Sequence, residues 1–132
     1  MSVKPSMAFD VTWDVYRGAK EVLEIKRGIS TPQWNEATKF LWRPDIHPRL
    51  NEWVADFALA GKAALEGPDW ASRMALFRVY YLGLAPYDKA RHFIGISENT
   101  WVKWTEEIRH RCGQELLRRG MFPPRKYFVS AA

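Results

Sequence analysis

The sequence predicts an all-α fold, a helical bundle around one core, and three observations carry that prediction. Apolar residues recur every three or four positions along most of the chain, which is the helical period. Glycine or proline interrupts those stripes, most clearly at Gly28, Pro44, Gly67-Pro68, Pro86, Gly95 and Gly120. No segment alternates apolar and polar residues over the length of a strand, and there is no internal repeat or low-complexity tract.

Taken in order, the opening "MSVKPSMAF" reads as a weak terminal arm, mobile until Phe9 or Trp13. Trp13, Tyr16, Ala19 or Lys20, and Leu23 then stand near helical spacing, predicting a first helix over about 11–27 that stops at Gly28. "STPQWNEATKFLW" has Ser30 or Thr31 as cap, Pro32 at the first helical position and Trp34, Ala37, Thr38, Leu41 and Trp42 on one stripe, a short second helix ended by Arg43-Pro44. Leu50, Trp53, Val54, Phe57, Ala58, Gly61, Ala64 and Leu65 give the clearest amphipathic stripe of the first half. Asp69 is expected to cap a fourth helix carrying Trp70, Met74, Phe77, Tyr81 and Leu82 inward. A short helix after Pro86 places Ala90, Phe93 and Ile94 inward, a longer one runs from Ser97 towards Gly120, and "MFPPRKYFVSAA" reads as a proline-broken basic tail. Its aromatics, Tyr127 and Phe128, are expected to pack back on the domain, since exposing both would cost solubility.

A chain of 132 residues, 47% apolar and 14% aromatic, has material for one core and needs no disulfide staple. Within it the pattern divides into a helical segment 1–68 serving as cap or interaction surface, a unit 69–120, and a tail 121–132. The single cysteine, Cys112, has no partner for an internal bridge, and His47, His92 and His110 lack metal-ligand spacing, so no metal and no cofactor is implied. No apolar run reaches signal-peptide or membrane-span length, which predicts a cytoplasmic protein without a membrane partner. Residues 1–86 hold 11 Lys and Arg against 10 Asp and Glu, a net +1, while residues 87–132 hold 9 against 5, a net +4. Basicity concentrated at the C-terminal end favours a polyanionic partner there. Scattered carboxylates, a cysteine on an inward stripe and the lack of a glycine-rich phosphate loop all argue against an enzyme.

The stretch "YDKARHFIGISENTWVKW" fits two helices joined by a glycine turn, the helix-turn-helix unit. Ala90 suits the close helix crossing, Gly95 the left-handed turn residue, and Ser97 the N-terminal cap of the second helix. On that helix Trp101, Thr105, Ile108, Cys112 and Leu116 form the inward stripe. The opposite side presents Glu98, Asn99, Val102, Lys103, Glu106, Arg109 and Arg111. Its polar first turns suit a DNA major groove, where recognition helices make their base contacts.

"ALFRVYYLGLAPYDKARHFIGISENTWVKW", followed by "EEIRHRCGQEL", resembles the DNA-binding region 4 of sigma-seventy-class sigma factors over roughly residues 70–117. An aromatic helix, a short helix after a Gly-Leu pair, a Gly-Ile-Ser turn and a Thr-hydrophobic helix follow one another in the same order. The resemblance implies a sequence-specific transcription regulator that binds double-stranded DNA and contacts RNA polymerase. Glu98, Asn99, Lys103 and Arg109 would then face bases or phosphates, and Arg91 the DNA backbone. Residues 1–68 match no polymerase-clamping or melting region of a full sigma factor, which points to a small phage or prophage regulator rather than a stand-alone initiation factor.

Other readings fit the same residues. The unit also suits a phage small terminase-like packaging subunit, which would form a homo-oligomeric ring, or a protein-interaction module that touches no DNA, for which seven tryptophans supply anchors. Lys103, Arg109 and Arg111 also fit a solvated helix face with Glu106 and Glu107 as local partners.

Overall fold

A computed structural model describes residues 3–26 and 49–129 of the chain. The helix expected between Ser30 and Trp42 lies outside the described residues. Among those described there is no strand, and six α-helices account for the fold.

Helix α1 (Pro5–Lys26) buries Ala8, Phe9, Thr12, Val15, Tyr16, Ala19 and Val22, an unbroken stripe of three- and four-residue steps. It begins earlier than the weak terminal composition suggests. Pro5 sits at the first helical position, where its missing N–H costs nothing. Phe9 is wholly buried, its ring 4.9 Å from Tyr81 and 5.8 Å from Phe57. Tertiary burial of that one ring orders the residues around it, overriding the local signal. Thr12, the one buried polar residue among those described, is satisfied internally, its hydroxyl 2.8 Å from the Ala8 carbonyl and 2.9 Å from that of Phe9.

Helix α2 (Leu50–Ala64) turns Leu50, Trp53, Phe57, Ala60 and Gly61 into the core, as its stripe predicts. After the Gly67-Pro68 break comes a single 3-10 turn, Pro68–Trp70, and then α3 (Ala71–Leu76). Asp69 does not cap this helix. No side chain does, because the 3-10 turn itself leads the chain into it. Instead of continuing as a regular α-helix, the chain widens into a π-helical stretch, Phe77–Leu82, in which the Gly83 N–H donates to the Arg78 carbonyl at 2.9 Å. Side chains of α1 take its terminal carbonyls: Trp13 Nε1 donates to Tyr81 O at 2.9 Å and the Tyr16 hydroxyl to Leu82 O at 2.6 Å. Carbonyls at a helix end need such partners, and here a neighbouring helix supplies them.

Helices α4 (Tyr87–Ile94) and α5 (Glu98–Arg118) follow, and the expected tail forms α6 (Pro124–Val129). Phe128 is buried with its ring stacked on Trp53 at 5.2 Å, and Tyr127 meets the same indole edge-on at 4.8 Å. The tail therefore packs, as its aromatics predict, although as a helix.

Helices α1, α2 and α5 pack on one another to form the centre. α3 lies against α4 and α5, and α6 folds back towards α1 and α2. A single hydrophobic cluster takes in residues from α1 through α6. Where α1 meets α5, Gly113 has no room for a side chain, since a β-carbon would fall on the Pro5 carbonyl.

Candidate nucleic-acid interface

Pro86 leads into α4, and the stop is Gly95, which holds φ 77° and ψ 39°, a left-handed conformation natural to glycine. Its N–H donates to the Arg91 carbonyl at 2.9 Å, closing the last turn of α4. Two residues on, Ser97 adopts an extended backbone and its Oγ accepts the Thr100 N–H at 3.2 Å. That is the N-cap expected of it, and the Thr100 hydroxyl lies 3.0 Å from the same oxygen. Two helices are thus joined by a three-residue connection with the geometry the glycine and serine predict.

Trp101 seats the second helix. Its ring is met edge-on from the π-helical stretch by Tyr80 at 4.9 Å and from α4 by Tyr87 at 5.1 Å, an arrangement that suits the ring quadrupoles. Beyond it Ile108, Cys112, Gly113 and Leu116 are buried, and Ala90 is buried in α4 as a small residue at a crossing should be. Thr105, expected inward, is half-buried and turns its hydroxyl to the Trp101 carbonyl at 2.9 Å. Burial in an apolar pocket pushes the Cys112 thiol well above its ordinary range, so it stays protonated and unreactive.

With Trp101 inward, Glu98, Asn99, Val102, Lys103 and Glu106 are exposed. Five of the eight residues singled out from the sequence, Ser97, Glu98, Asn99, Val102 and Lys103, therefore stand together on the first two turns of α5, free of the core. Arg91 lies beneath them. Its Nη1 donates to the Ile96 carbonyl at 3.1 Å and its guanidinium lies 5.7 Å from the centre of the Tyr87 ring, so the group braces the turn.

Arg109 and Arg111 are placed otherwise. Arg109 makes a two-pronged ion pair with Asp10 of α1, Nε to Oδ1 at 2.8 Å and Nη2 to Oδ2 at 2.6 Å, and that hydrogen bonding raises its pKa further. Arg111 donates from Nε to the Ala64 carbonyl at 2.6 Å, at the end of α2, with its guanidinium 4.1 Å from the centre of the Trp70 ring. Both guanidiniums thus have partners within the bundle, Arg109 half-buried and Arg111 still exposed. At about 1.5 Å per residue, Arg109 also stands about 15 Å along the axis from Asn99.

One exposed ring differs from expectation. Phe93, expected inward, is 76% exposed near the end of α4, because that short helix buries only Ala90. Trp104 is half-buried, with the Arg73 guanidinium 5.1 Å from its ring and Arg73 Nε 2.5 Å from the Glu107 carboxylate. The tail-end cations Arg118 and Arg119 are both held by Glu115, whose carboxyl is kept down at about 2 by hydrogen bonds from Arg118 first and Arg119 second. Lys89, Lys103, Arg125 and Lys126 are exposed, and none takes part in an ion pair with another described residue.

Among the described residues no group of three His, Cys, Asp or Glu side chains is arranged to hold a metal ion, and no helix is long and apolar enough to cross a membrane. Compared with family models, curated proteins and solved structures, the chain matches none of them.

Proposed function

We propose that this protein is a DNA-binding transcription regulator that reads duplex DNA through the exposed first two turns of α5, in the manner of the sigma region 4 proteins its sequence resembles. The observation that carries the reading is the combination of a left-handed Gly95, a capping Ser97 and a buried Trp101, which leaves Asn99, Val102 and Lys103 exposed together. A helix fixed from behind and polar in front meets the requirement for major-groove docking. Phosphate contacts fall to the exposed Lys89 and Lys103, while Arg91 supports the turn.

The test is a mobility shift on random duplex DNA across a salt series from about 50 to 200 mM, over which a phosphate-contacting protein loses affinity steeply. Lys103→Ala is expected to reduce the slope of log K against log salt by about 1. Arg109→Ala is expected to leave that slope unchanged, since Asp10 already occupies its guanidinium. Absence of any duplex binding at the low-salt end would sink the proposal.

A second reading, a protein-interaction module gripping RNA polymerase, is favoured by Phe93, an aromatic ring 76% exposed beside the turn. Under that reading Phe93→Ser abolishes co-purification with polymerase, and the parent protein binds no duplex even at low salt. A small terminase-like ring would instead announce itself as a multiple of the monomer mass in solution.

A further inference from the structure

Resting on the DNA-binding reading, we infer that the outer face of α5 reads adjacent A·T base pairs, with Asn99 paired to an adenine and Val102 packed on a thymine methyl group. Val102 points there by its place on α5 beside Asn99, not by its exposure alone, which Leu59 and Phe93 exceed. It is 54% exposed in the middle of an otherwise polar face, between Asn99 one turn before and Glu106 one turn after. A β-branched apolar residue gains nothing from water and little from helix propensity at such a place. The major groove offers one apolar feature, the thymine C5 methyl, and apolar side chains are what read it.

Asn99 matches the neighbouring pair. Its amide has one donor and one acceptor group in a plane, the complement of the adenine N6 amine and N7. Residues 99 and 102 are separated by about 4.5 Å along a helix axis, comparable with the roughly 3.4 Å between successive base pairs. They also lie on one side of the helix, so both reach base edges in a single docking pose. The charges around them agree with base rather than backbone contact: the exposed carboxylates of Glu98 and Glu106 bracket the pair and repel phosphate, leaving Lys103 alone on this face to fix the register on a phosphate.

The test uses the full chain and duplexes selected from a random pool. The expected consensus contains adjacent A·T pairs. Replacing its thymines one at a time by deoxyuridine, which deletes only the methyl group, is expected to weaken binding about fourfold at one position. In Val102→Ala that position is expected to become indifferent to the methyl. Asn99→Ala is expected to lose roughly tenfold or more of its preference for adenine at the adjacent position. Both side chains are exposed, so near-UV and far-UV circular dichroism of the variants should overlay those of the parent protein. A selected consensus without adjacent A·T pairs, or a methyl dependence that survives in Val102→Ala, overturns this inference and leaves the DNA-binding reading standing. Failure to select any duplex overturns both.

Discussion

Neighbouring residues at the start of α5 have opposite fates, and substitutions separate them. Trp101 is wedged between Tyr80 and Tyr87, so Trp101→Ala removes a buried ring and is expected to cost about 3–5 kcal/mol in a denaturant titration. Val102→Ala, next in the chain but exposed, is expected to stay within about 0.5 kcal/mol. The pair between Arg109 and Asp10 is partly solvated on both sides, so breaking it with Asp10→Ala is expected to lower stability by no more than about 1 kcal/mol. That pair also marks where sequence reasoning ends. Helical periodicity assigns Arg109 to a side of α5, but nothing in the local pattern announces a carboxylate 99 positions earlier. Arg111 illustrates the same limit: its partner is a backbone carbonyl, which no sequence pattern labels. The local parts of the site, the Gly95 turn and the Ser97 cap, were legible because a left-handed φ and an N-cap each demand a few residue types.

At the level of helices, the last turn of α5 and the ends of the π-helical stretch respond to opposite extremes of pH. Glu115, ordinarily near 4.5, is held at about 2 by Arg118 and Arg119. Its folded pKa is depressed, so its contribution is present above about 4.5 and is lost as the pH falls towards 2. Glu115→Gln is expected to flatten the acid limb of a melting-temperature profile. The Tyr16 phenol, which donates to the carbonyl closing the π-helical stretch, is raised by burial from 10.0 to about 12. Here the folded pKa is higher, so the contribution is complete below about 10 and disappears as the pH climbs towards 12. Tyr16→Phe is expected to be less stable at neutral pH by about 1 kcal/mol and less sensitive to alkali. Helix α2 was readable because its stripe is long and regular. The π-helical widening was not, since it depends on carbonyl partners that α1 brings from more than sixty residues away.

For the molecule as a whole, the C-terminal segment decides whether the centre stays dry. Met121 and Phe128 are buried and Tyr127 donates to Asp56 at 2.6 Å, all against a core whose Trp53 is wholly covered. Ending the chain after residue 120 is expected to lower stability by several kcal/mol, at about 1.5–3 for each large side chain uncovered, and to raise the tendency to aggregate in light scattering. The sequence indicated that these aromatics pack, from the solubility cost of leaving them out. It did not indicate a helix, because the paired prolines that stop one helix also suit the first turn of the next.

One close passage has a practical consequence for anyone mapping this protein by saturation mutagenesis. The backbone of Pro5 runs so near Gly113 that even one methyl group would intrude on it. Position 113 is therefore expected to reject every replacement, and an activity screen would score that loss just as it scores the loss of a contact residue. Only a readout of melting, taken variant by variant, tells such a steric bystander from a position that grips its target.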